Sequence, residues 1–301
     1  MTVFAILCHN EAKRLSLLLE TLAGFDVIIH IDKYAKRQPI LSEIKKNDLS
    51  RVFVIPEHES VGVAWGGYSI VEAQMKIIEI YLGYQNYHGS LVFLSGQDFP
   101  LRPITEFAGY LEAKGNLLSI QVIDYSRVDA GDKVEISRLN RVRKLHGQDL
   151  RFFRRCKDIN SFKYRFGGLL PWILRKMKIP NLRFDKERIF IGSQWIAISR
   201  SFCEMVLQNR HSLKKEFKYA FCPDEISIQS LFGRSIFYDE EKEFRIDPNF
   251  DSVIDAAFHL IHPTLNYNWK LSEFDSIMAS SKFFIRKPSW DLLLKLHTTL
   301  H

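Results

Sequence analysis

Residues 2–8 read TVFAILC, an apolar run with none of the polar alternation that marks a strand wet on one face. Such a run suits a strand covered on both faces, as strands of parallel sheets are. Asn10 can cap a helix after it, in which Leu15, Leu18, Leu19 and Leu22 share one face and Gly24 follows the last turn. The pattern then repeats. DVIIHID (26–32), RVFVIP (51–56) and SLVFLSG (90–96) read as strands, and YSIVEAQMKIIEIYL (68–82) sets Ile70, Ala73, Ile77 and Tyr81 at helical spacing. This alternation predicts an α/β fold with a mostly parallel central sheet and helices on its faces. Ligands of such sheets collect at the carboxyl ends of the strands. Those ends carry Cys8-His9-Asn10, His30-Ile31-Asp32-Lys33 and Ser95-Gly96-Gln97-Asp98, a layout that fits a Rossmann-like, nucleotide-binding half.

The second half is less regular. RIFIGSQWIAIS (188–199) reads as a strand pair, or a strand turning at Gly192, and RSFCEMVLQNRHSLKKEF (200–217) reads as helix. In YAFCPDEISIQSLFG (219–233), Pro223 can open a helix with Asp224 and Glu225 in its first turn. Acids there are ordinary, because the amide end of a helix favours negative charge. A catalytic base is the sharper reading for one of the pair. With no linker, repeat or low-complexity tract, residues 1–301 read as a single domain, 1–115 the nucleotide-binding half and 116–301 the acceptor and catalytic half.

Bulk composition narrows the classes. The chain has 46% hydrophobic and 26% charged residues, as soluble globular proteins do, and no apolar run approaches the ~18 residues a membrane span needs. The opening residues lack the basic n-region of a signal peptide. Cys8, Cys156, Cys203 and Cys222 are scattered without a CxxC pair, which points to reduced thiols and a cytoplasmic protein. Residues 133–188 hold 17 Lys and Arg against 5 Asp and Glu, in a chain whose formal net charge is only +7. A basic block of this kind implies an anionic partner. Leu169, Leu170, Trp172, Ile173 and Leu174 are interleaved with it, so it reads equally as a segment lying on the inner membrane or a lipid-linked acceptor and as an amphipathic core helix.

No GxGxxG follows the first strand and no GxxxxGK[ST] occurs, which argues against the classical dinucleotide and P-loop classes. The HxD of His30 and Asp32 reads as a polar strand end meeting a ligand, and WGGYS (65–69) as a turn that can also wall a base or sugar. No two aspartates are spaced two apart, so a paired-aspartate metal site is missing; the strand-end SGQDFP offers Asp98 alone. A bound diphosphate would need other cations. Arg286 and Lys287 in SSKFFIRKPSW supply a planar fork and a point charge suited to one.

Taken in order, IHIDK, VAWGGYSIVEA, LVFLSGQDFPL, IGSQWIAISR, CPDEISIQSL and KFFIRKPS resemble glycosyltransferase family 14, over about residues 2–290. That family comprises core-2/I-branching β-1,6-N-acetylglucosaminyltransferases and peptide O-xylosyltransferases with their bacterial relatives. The resemblance implies a GT-A fold, a UDP-sugar donor (UDP-GlcNAc, with UDP-xylose as the alternative), inversion at the anomeric carbon, and no metal cofactor. It makes Asp32 the uridine-contacting acid, Leu7 an apolar flank of the base, and Val63, Ala64 and Trp65 a donor-lining segment. Gln194 and Trp195 fall beside the transferred sugar. Arg286 and Lys287 take over the metal's charge, with His262 or Thr264 as a further phosphate contact, and Glu225 becomes the general base. It implies a glycan acceptor, and the chain's start at its first strand fits a cytoplasmic bacterial enzyme of surface-glycan synthesis.

Two other classes compete. A nucleic-acid-binding protein could use the 133–188 block, but the block lacks a known binding motif and the rest of the chain is net acidic, so no nucleic-acid partner is expected. A glycoside hydrolase needs two carboxylates across a bond from one another, which adjacent Asp224 and Glu225 do not provide.

Overall fold

The computed structural model describes residues 2–46, 50–85, 89–113, 122–124, 189–238, 258–262, 264 and 266–300, together with 146, 149, 173, 176 and 177. Its first part is a regular alternation: β1 (Val3–Cys8), α1 (Ala12–Thr21), β2 (Asp26–Ile31), α2 (Arg37–Ile44), β3 (Val52–Val54), α3 (Ser69–Gly83) and β4 (Leu91–Ser95). Next come β5 (Asp98–Pro100), α4 (Ile104–Ala113), β6 (Val122–Asp124), β7 (Phe190–Gly192) and β8 (Ala197–Ile198). The remainder is α5 (Arg200–Gln208), α6 (Arg210–Phe217), a 3₁₀ turn (Pro223–Glu225), α7 (Ser227–Gly233), β9 (His259–Leu260), α8 (Phe274–Met278), β10 (Phe284–Arg286) and α9 (Trp290–Leu300).

The central sheet has the order β3-β2-β1-β4-β8, parallel through β4 and closed by antiparallel β8. The expected α/β architecture with a mostly parallel sheet is therefore present. TVFAILC is the middle strand, which explains its lack of polar alternation. Val3 and Ala5 pack with α3 and α5 residues such as Val71, Ile78 and Phe202, whereas Phe4 and Ile6 pack with Leu15, Leu18, Phe107 and Leu111 from α1 and α4. The leucine face of α1 and Ala73, Ile77 and Tyr81 of α3 are buried as the spacing predicts, while Ile70 at the start of that face is only partly buried. From β1 the chain moves outward to β2 and β3, then returns to the other side of β1 as β4. The carboxyl ends of β1 and β4 thus flank the point where strand order reverses.

The late segments are built into the early ones. A second sheet, β5-β10-β9, pairs Arg286 opposite Asp98, and β6 pairs with β7. β10 therefore returns residues near the C-terminus to the mouth of the central sheet.

Three local readings change. Asn10 does not cap α1; the N-cap is Glu11, left-handed at φ 56°, with no side-chain capping bond. The helical stretch after residue 200 divides at Asn209 into α5 and α6. Pro223 opens a single 3₁₀ turn, Ile226 leaves helical geometry at φ −134°, and α7 starts only at Ser227. Asp224 and Glu225 thus stand on a separate turn ahead of the helix.

Candidate active site

Asp32 lies just beyond β2, half-buried, and its carboxylate accepts from the Tyr34 N–H (2.8 Å) and the Val63 N–H (3.2 Å). The segment Val63 to Trp65 is thereby tied to the strand end. His30, read as a ligand contact, is instead an internal fastening: it is 1% exposed and its Nε2 accepts the Val61 N–H at 2.9 Å. Burial pushes its pKa down to about 4, against an opposing pull from Asp32, and keeps Nε2 free of the proton that would break this bond. The folded state thus resists protonation that the unfolded chain accepts near pH 6.5, so stability falls as pH drops from about 6.5 towards 4. The loss is expected to approach about 1.4 kcal/mol per pH unit, ~3 kcal/mol in all. Urea midpoints at pH 7 and pH 4.5 check this, and His30→Gln, whose amide oxygen can still accept, should show a smaller drop than the parent.

The same loop reaches the segment that leads into Asp224 and Glu225. Gly66, at φ +70°, accepts the Cys222 N–H at its carbonyl (3.1 Å), and the 66%-exposed Trp65 meets Phe221 edge-on at 5.8 Å. Ala64 donates its N–H to the Ser69 hydroxyl (2.8 Å). Asp149 caps α3 from 80 residues away, accepting the Tyr68 N–H at 2.7 Å and the Ser69 hydroxyl at 2.7 Å. A β-carbon at Gly67 would lie 2.2 Å from the Asp149 carboxylate, so the second glycine of WGGYS makes room for this cap. Nothing in the spacing of the basic block singles out Asp149.

Glu225 is half-buried on its turn, while Asp224 is 5% exposed. The turn is held by Gln229, fully buried in α7, whose Nε2 donates to the Asp224 carbonyl (2.9 Å) and to the Ser193 carbonyl (2.7 Å). One amide therefore joins the Glu225 turn to the GSQW segment. Sequence reasoning passed over Gln229; its signal was a polar residue inside the apolar ISIQSLF.

Half-buried Gln194 sits between the anchored Ser193 and Trp195. Trp195 itself is 5% exposed, which differs from a residue presenting its ring to a sugar. Its N–H donates to the Ser193 hydroxyl (3.1 Å) and its indole Nε1–H to Asp98 Oδ2 (2.7 Å). Asp98 also accepts the Ser95 N–H (2.6 Å) and hydroxyl (2.9 Å), and His259 Nε2 stands 3.3 Å away. Burial would raise its pKa, but His259, Arg286 and the Ser95 N–H together hold its carboxyl below the usual range. Burial likewise pushes the His259 pKa down, against the raising pull of the Asp98 carboxylate. The single acid of SGQDFP is thus an internal anchor whose two oxygens are both engaged.

Arg286 lies with its guanidinium carbon 4.7 Å from the Trp195 ring centroid. Lys287 has left-handed backbone at φ 56°, held by its N–H on the Gln97 carbonyl (3.0 Å) and its carbonyl on the Trp269 N–H (3.1 Å). Burial and the Arg286 charge lower the Lys287 pKa, opposed by Glu11 and Asp98. Glu11 accepts from Gln97 Nε2 (3.0 Å) and pairs with Arg14, which in turn donates to the Pro288 carbonyl (2.6 Å). Glu11, Cys222 and Lys287 are the non-glycine residues with positive φ among the described residues. Each such residue costs ~1 kcal/mol or more, and strain of this kind concentrates at functional sites. Here Cys222 precedes the Asp224–Glu225 turn, and Lys287 belongs to the basic pair.

Leu7, half-buried at the end of β1, accepts the Gly96 N–H at 3.0 Å. His262 stacks on Tyr267 at 4.0 Å and accepts the Thr264 N–H, and Thr264 is exposed. Of residues 133–188 only 146, 149, 173, 176 and 177 are described, so the membrane-facing reading of that block lies outside the described residues. No helix among the described residues is long and apolar enough to cross a membrane.

No curated protein matches the chain. Among solved structures, the mannosyltransferase Ktr4p from S. cerevisiae in complex with GDP matches at 11% identity and a TM-score of 0.34, covering 79% of this chain and 67% of that one. That likeness is too distant to support an argument. The family model for the Core-2/I-branching enzyme matches residues 2–246, a span that takes in Asp32, the GSQW segment and Glu225 and stops short of Arg286 and Lys287. The chain belongs to the Core-2/I-branching enzyme family of glycosyltransferases.

Proposed function

We propose that the chain is an inverting GT-A enzyme that moves GlcNAc from UDP-GlcNAc to a hydroxyl of a glycan acceptor without a divalent metal. One observation carries the reading: the acid and the basic pair terminate one buried run of contacts. Glu225 adjoins Asp224, whose carbonyl meets Gln229; Gln229 meets Ser193, Ser193 meets Trp195, and Trp195 meets both Asp98 and Arg286. A base and a cationic leaving-group site held rigidly apart are what an in-line displacement requires.

In this reading Asp32 and Leu7 receive the uracil nucleoside, and Val63 to Trp65 line the donor. Glu225 takes the acceptor's hydroxyl proton as its oxygen bonds to the anomeric carbon. The bond to UDP breaks, and the electron pair leaves on the diphosphate, where Arg286 and Lys287 face it. Asp98 is unsuited to anchor a cation, because Ser95 and Trp195 occupy its oxygens. UDP release from UDP-GlcNAc is therefore expected to continue unchanged in excess EDTA. Loss of activity in EDTA that Mn²⁺ restores would overturn the metal-free reading, and the same assay with UDP-xylose decides between the two donors.

A further inference from the structure

Trp195 is buried in the same core layer as Phe107, Phe258 and Phe284, yet both its Nε1 edge and its ring face are committed to polar groups. Its Nε1–H is pinned by Asp98 at 2.7 Å, and its ring carries the Arg286 guanidinium at 4.7 Å. Asp98 is itself immobilised: its side chain has no exposed surface, it accepts twice from Ser95, and β5 places it opposite Arg286 in the strand register. His259 closes the other flank, 5.4 Å from the indole and stacked on Phe284 at 5.1 Å. Arg286 Nε is buried and has no hydrogen-bond acceptor among the described residues. The Trp195 ring, 4.7 Å from the guanidinium carbon, therefore sets the plane of this group. A freely rotating arginine loses that freedom when it binds an anion; one already laid on a fixed ring does not.

We propose that Trp195 is a positioning residue for the leaving group: pinned by Asp98, its ring holds Arg286 in the attitude that meets a nucleoside diphosphate. This rests on the reading that Arg286 faces the diphosphate of UDP. It assigns Trp195 to the diphosphate rather than to the transferred sugar, and it gives Asp98 a place behind Trp195 rather than against a ligand.

UDP separates the two assignments, because it carries the diphosphate and no sugar. Calorimetric titration with UDP would use the full chain, Trp195→Leu, Trp195→Phe, Arg286→Ala and the double variant Trp195→Leu/Arg286→Ala. Trp195→Leu is expected to weaken UDP binding about tenfold, the range of a desolvated cation–π contact. Trp195→Phe, which keeps a ring and the packing but loses the pin, should weaken it about threefold. In the Arg286→Ala background, Trp195→Leu should add less than about twofold, since coupled residues are not additive. Unchanged UDP affinity in both Trp195 variants, or losses that multiply in the double variant, would overturn the positioning role while leaving the diphosphate reading intact. Unchanged affinity in Arg286→Ala alone would overturn both. Trp195→Phe keeps the test available if the leucine variant does not fold.

Discussion

Glu225→Gln is expected to lower turnover by ~10²-fold or more while leaving UDP affinity unchanged. A hydroxyl is a weak nucleophile at neutral pH, so a displacement at the anomeric carbon needs a base on the face opposite the leaving UDP. Glutamine keeps the shape of the side chain and removes the basicity. The two acids of the turn are not equivalent. Asp224 is 5% exposed, so its carboxyl lies inside the protein, whereas Glu225 is half-buried and keeps part of its surface open. Asp224→Asn should accordingly act more on the melting temperature than on turnover. Steady-state rates and UDP titrations of the two variants decide the matter. Near-normal turnover in Glu225→Gln with none in Asp224→Asn would mean that the other acid is the base.

Replacing Arg286 and Lys287 together with alanine should weaken UDP binding by ~10²-fold or more, from two charge-assisted contacts worth roughly 1.5–3 kcal/mol each. The parent's affinity should also fall more steeply with salt than the double variant's, since less charge is then neutralised on binding. Lys287 permits a sharper control. Its φ of 56° disfavours any side chain, so Lys287→Gly removes the ammonium and at the same time relieves ~1 kcal/mol of backbone strain. UDP affinity should fall while thermal stability holds or rises. A glycine variant that binds UDP as the parent does would show that the ammonium does not meet the diphosphate.

Much of the fold was legible because it rests on local burial patterns. An apolar run with no alternation suits a strand covered on both faces, and four leucines at helical spacing need a core on one side; β1 and α1 meet both demands. The candidate residues were legible as types at strand ends and turns. Their partners were not. Trp195 and Asp98 stand 97 residues apart, and Tyr68 and Asp149 stand 81 apart. No periodicity links such pairs, since each element's spacing is set by its own covering layer.

Asp98 shows the difference most clearly. As sequence it is a lone acid at a strand end, compatible with a ligand contact, a metal ligand or an internal anchor. The fold decides among these by bringing β10 alongside β5 and β8 alongside β4, which surrounds the carboxylate with Ser95, Trp195 and His259 and leaves it no exposed side-chain surface. The sequence by itself determined the strand and helix alternation, the parallel sheet and the residue types at its carboxyl edge, because side-chain burial repeats along the chain. Which acid turns inward, which arginine lies on which ring, and which amide ties the Glu225 turn to the GSQW segment were decided only by tertiary structure, because a polar group's role depends on the neighbours that packing brings to it.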